Sequence, residues 1–85
     1  MYVYNKSMPV IVRFKNIKFY IYPNDHGNPH VHIVGPGAQA KIFIEDLEVI
    51  SSKGFSKKAL GQIVEQVDIF KETLIEAWKE YHEEE

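Results

Sequence analysis

The chain changes hydrophobic period once, and that change limits its fold more than any other feature. From Val10 to Ile44 apolar side chains recur at every second position, as in half-buried strands, and from Lys57 onward they recur on one helical stripe. Val10, Val12 and Phe14 alternate with Ile11, Arg13 and Lys15. A tight turn at Lys15-Asn16 leads into Ile17, Phe19 and Ile21, with Lys18, Tyr20 and Tyr22 opposite, which predicts a hairpin ended by Pro23. His30 to Val34 predicts a third strand with Val31 and Ile33 facing away from the histidines. Gly35-Pro36-Gly37 is a turn, and Ala38 to Ile44 returns antiparallel with Ala40, Ile42 and Ile44 on one side and Gln39, Lys41 and Phe43 on the other. Leu47 to Ile50 reads as a short fifth strand or an extended connection, and Ser51 to Gly54 as loop.

Ser56 is a good N-cap for a helix that begins at Lys57. Leu60, Ile63, Val64, Val67, Leu74, Ile75, Trp78 and Tyr81 share a stripe, which predicts one helix from Lys57 to Tyr81. Two residues disturb it. Lys71 lies within the stripe and Ile69 opposite it; a kink, an oligomer contact at Ile69, or a snorkelling lysine beside one exposed isoleucine would each account for this. Gly61 costs about 1 kcal/mol relative to alanine inside a helix and has no reason visible in the sequence.

The expected class is therefore α+β: an antiparallel sheet of four to five strands with one long C-terminal helix packed on one face. Residues 1–7 read as a flexible N-terminal extension, 8–82 as a single domain and 83–85 as a frayed acidic tail. With 85 residues there is room for one small core. Ten Lys and Arg against twelve Asp and Glu give a net charge of −2, so no global basic field exists and RNA binding would need a local patch. No apolar run approaches the ~20 residues that span a bilayer, and the N-terminus lacks the pattern of a secretory signal, so no membrane association is expected. Cysteine is absent, which removes disulfides and thiolate chemistry and suits a cytoplasmic location.

Chemistry concentrates in Asn24-Asp25-His26-Gly27-Asn28-Pro29-His30-Val31-His32, which holds three of the four histidines. Strand geometry projects His30 and His32 side by side, and His26 sits just upstream. Alternation places both strand histidines on the face away from the helix, clear of Leu60, Val67 and Trp78. Asp25, His26, His30 and His32 together would suit a divalent transition metal such as Zn²⁺, Ni²⁺ or Fe²⁺. A purely structural reading is that Asn24 and Asp25 make side-chain turns, Gly27 supplies a positive φ and the histidines stack on Tyr20 and Tyr22. As catalysts, His30 and His32 would serve as general base and acid in phosphodiester cleavage, with Lys41 or Arg13 stabilising the developing charge. Finally, Arg13, Lys18, Tyr20, Tyr22 and Phe43 form a binding face for a cognate protein, a second copy of the chain, or single-stranded RNA. An aromatic outer face and Ile69 on so small a domain predict a homodimer or an obligate partner. His82 reads as surface.

The histidine stretch, preceded by Met8-Pro9-Val10-Ile11-Val12-Arg13-Phe14 and followed by Leu47-Glu48-Val49 and a helix with the late Trp78, resembles a family of small bacterial proteins of uncharacterised function. Their signature is Asn-Asp-His-x-x-Pro-His-x-His. The resemblance covers nearly everything after Ser7 and implies a component of a two-gene, toxin–antitoxin-like module. Similar proteins begin near Met8, so Met1 to Ser7 departs from the pattern.

Overall fold

A computed structural model describes residues 10–22 and 26–82. The expected extension at 1–7, the chain around Asn24 and Asp25, and the tail at 83–85 lie outside the described residues.

Five strands, β1 (Val10–Phe14), β2 (Ile17–Tyr20), β3 (His30–Gly35), β4 (Ala38–Phe43) and β5 (Val49–Lys53), form one antiparallel sheet in chain order. Lys15 turns the first hairpin at φ 58°. The period-two pattern sets the register: Phe19 pairs with Ile33, Ile33 with Ala40, and Val31 with Ile42, so one face carries every fully buried strand residue. Alternation slips in β1 between Val10 and Val12, where the pairing with β2 shifts.

The fifth strand departs from the expected Leu47 to Ile50. It starts at Val49 and runs on through Ser51, Ser52 and Lys53, which their low strand propensity marks as loop. This is an edge strand with all but Val49 exposed, so pairing with β4 holds it extended without a buried side chain of its own. It ends at Gly54, whose φ of +89° and whose approach to the β3–β4 turn exclude a side chain: a Cβ there would lie 2.5 Å from the Gly37 carbonyl oxygen.

The single long helix is also corrected. Two helices, α1 (Lys57–Ile69) and α2 (Lys71–His82), meet at Phe70, whose φ and ψ of −99° and 20° break the helical run. The break sits beside the charge that the stripe could not bury. Lys71 donates from Nζ to the Glu45 carbonyl at 2.9 Å and lies 4.0 Å from the Asp68 carboxylate, so its ammonium stays partnered and in reach of solvent. Ile69 is 64% exposed. Ser56 caps α1 as expected, its Oγ accepting from the Ala59 N–H at 3.0 Å. Ile63 and Val67 of α1 and Leu74, Ala77 and Trp78 of α2 close over the apolar face of the sheet. Among the described residues no helix is long and apolar enough to cross a membrane.

Candidate functional site

The other face of the sheet is built by the same alternation. Arg13, Lys18, Val34, Gln39 and Lys53 form one row across all five strands, and Val10, Tyr20, His32, Lys41 and Ser51 the next. Cross-strand neighbours share a face, so Arg13 and Lys18 stand directly opposite each other, both exposed, a like-charge pair that costs a few tenths of a kcal/mol. The five strands hold four cations, Arg13, Lys18, Lys41 and Lys53, and no carboxylate. The described acids lie instead on the β4–β5 loop (Glu45, Asp46, Glu48) and on the helices. The outer sheet face is thus of one sign in a chain of net charge −2, whereas the helices mix signs, with Lys57, Lys58, Lys71 and Lys79 beside Glu65, Asp68, Glu72, Glu76 and Glu80.

Within that face a groove of about 500 Å³ runs beside the edge strand, with Tyr22 and His32 on one side and Gln39, Lys41, Ser51, Ser52 and Lys53 on the other. Tyr22 lies flat on His32, with ring centres 3.9 Å apart and planes 11° from parallel, so the expected stacking is present at Tyr22. Tyr20 is tilted against Tyr22 at 6.2 Å.

His30 and His32 sit side by side as the pleat requires, with ring centres 5.3 Å apart. Their expected separation from the helix fails for His30. The C-terminal half of α2 reaches this end of the sheet, and the Trp78 indole stands 5.1 Å from the His30 ring, while Phe43 meets it edge-on at 6.4 Å. His30 is left 8% exposed. Its Nδ1–H donates to the Asn28 carbonyl at 2.9 Å; because a carbonyl only accepts, this bond fixes the proton on Nδ1 and ties the ring to its own loop. Gly27 has the positive φ expected of it, 90°, and His26 is exposed. Among the described residues no three His, Cys, Asp or Glu are grouped so as to hold a metal ion, and Asp25 lies outside them.

His82, expected at the surface, is instead half-buried. It stacks on Trp78 at 4.1 Å, and its Nδ1–H donates to the Trp78 carbonyl. The i,i+4 spacing of Trp78 and His82 is the signal in the sequence that points to this pair. Rings thus follow one another from Tyr20 through Tyr22, His32, His30 and Trp78 to His82, from the outer face around to the last helix.

A domain of unknown function, DUF4160, matches residues 16–79, from the first hairpin turn through the histidine loop to the residue after Trp78. That is consistent with the resemblance to an uncharacterised family, and the match carries no toxin–antitoxin role. No curated protein and no solved structure matches the chain. Since the match spans well over half of it, the chain belongs to the DUF4160 family.

Proposed function

We propose that the chain is a cytoplasmic binding module, the interaction component of a two-gene, toxin–antitoxin-like pair, and that it works through the outer face of its sheet. The observation that carries this reading is the single sign of the strands: every charged residue on them is a cation, two of them stand opposed, and half-buried aromatic rings lie on the same face. A face selected only for solvation would mix signs, because opposite charges across strands stabilise and like charges do not. The histidine cluster has two parts in this account. His30 anchors the loop to α2, and His32 lines the groove with Tyr22.

A divalent-metal site or a histidine ribonuclease at His26, His30 and His32 draws less support. The Trp78 indole covers His30, and the described residues offer no set of three ligands. The test is growth of a host that expresses the chain with and without the product of the neighbouring gene. Reversing charge on the outer face, Lys18→Glu with Lys53→Glu, is expected to abolish the effect on growth, whereas Glu65→Lys with Glu72→Lys on the helical layer leaves it intact. If both variants act like the unmodified chain, or if the pair has no effect on growth, the reading fails.

A further inference from the structure

We propose that the outer sheet face binds single-stranded RNA, with a base seated in the groove beside the stacked Tyr22 and His32 rings and with backbone phosphates held by Arg13, Lys18, Lys41 and Lys53. This rests on the reading that the outer face is the working surface, and it names the ligand.

Three observations favour a polynucleotide over other anions. The first is the distribution of cations. Lys18 is on β2 and Lys53 on β5, three strand spacings apart, or roughly 14 Å at ~4.8 Å per strand, too far for one phosphate group to bridge and suited to a chain of phosphates. The second is their type. Lysine and other charged residues are depleted from the buried centres of protein–protein interfaces, whereas interfaces with nucleic acid are strongly positive, and here lysines are spread over the whole face. The third is the groove. Its volume of about 500 Å³ falls within the range of small-ligand sites, and aromatic rings against a polar wall are what an unstacked base requires. Ser51 and Gln39, which share the outer face with Lys41 and Lys53, place a hydroxyl and an amide along that wall, and these can bond a ribose 2′-hydroxyl.

The experiment is fluorescence anisotropy of the full chain with a short labelled single-stranded ribo-oligomer, its deoxyribo counterpart, and poly-glutamate as competitor. The oligomer is expected to bind and to weaken as salt rises, with a log–log slope of about −3 for four phosphate contacts at about −0.7 each. Lys18→Glu with Lys53→Glu should weaken binding by at least ~tenfold and roughly halve that slope. Tyr22→Ala should lose about fivefold or more, while Tyr22→Phe, which keeps the stacking plane, retains affinity. Both charge variants are at exposed positions, and circular dichroism verifies their folding. No binding at low salt, affinity unchanged in the charge-reversed variant, or equal affinity for the deoxyribo oligomer would each overturn the assignment. Displacement by poly-glutamate at matched charge would overturn it in favour of an acidic protein partner. If the charge-reversed chain loses its effect on growth although the unmodified chain binds no RNA, the module reading stands and the RNA assignment alone falls.

Discussion

The indole of Trp78 stands 5.1 Å from the imidazole of His30, their planes inclined by 53°. A residue near the end of the chain thereby covers one at the end of the histidine loop, and the loop, the sheet and α2 become one packing unit.

Trp78→Ala should cost about 3–5 kcal/mol, because it removes a large core side chain and uncovers both His30 and His82. Urea unfolding checks the value. A double-mutant cycle with His30→Ala should return a coupling of ~0.5–1.5 kcal/mol, the range for aromatic pairs beyond simple burial.

His30 and His26 should separate by burial. His30→Ala is expected to destabilise by about 1–3 kcal/mol, since it empties a buried site and leaves the Asn28 carbonyl without its donor. His26→Ala, at an exposed position, should stay within ~0.5 kcal/mol of the unmodified chain. Thermal melts of the two variants give the comparison.

Much of this fold can be read from the chain because period two and period 3.6 survive tertiary packing. Phe19, Val31, Ile33, Ile42, Ile63, Val67 and Leu74 are all expected in the core and all lie there. The break at Phe70 is harder to read, since the stripe keeps its phase across it; Lys71 and Ile69 mark it, but a kink is one of several readings they allow, and the Glu45 carbonyl that Lys71 bonds is 26 residues away. β5 escapes for a similar reason. Ser51 to Lys53 are extended because β4 offers an unpaired edge, which local propensity cannot report. At the site, the pleat predicts the His30–His32 pair correctly, but burial of His30 depends on where α2 ends, and no local pattern encodes that. The outer-face cations Arg13, Lys18 and Lys41 follow from alternation, whereas Lys53 joins them only through the pairing of β5 with β4.

Two glycines should respond oppositely to alanine. Gly54→Ala is expected to destabilise by ~2–4 kcal/mol, because a Cβ would meet the Gly37 carbonyl at 2.5 Å and Ala38 at 2.9 Å while φ stays at +89°. Gly61→Ala meets nothing within 4 Å on an exposed helical position and should stabilise by about 0.5–1 kcal/mol. Chemical denaturation of both variants separates a glycine that the fold requires from one that it does not.

Removing the cap tests the start of α1. Ser56→Ala deletes the oxygen that accepts from the Ala59 N–H and should cost about 1 kcal/mol, with Ser56→Asp retaining most of the stability. Unfolding midpoints for the three chains decide it.

The most direct test of the central claim, that the outer sheet face is the working surface, is a map of backbone amide chemical shifts as the isotope-labelled chain is titrated with a short single-stranded ribo-oligomer. The shifts are expected to concentrate in the rows containing Arg13, Lys18 and Lys53 and containing Tyr20, His32, Lys41 and Ser51, leaving Glu65 and Glu72 unmoved. Shifts centred on α1 and α2 would contradict the claim, and none at the highest oligomer concentration would overturn the RNA assignment.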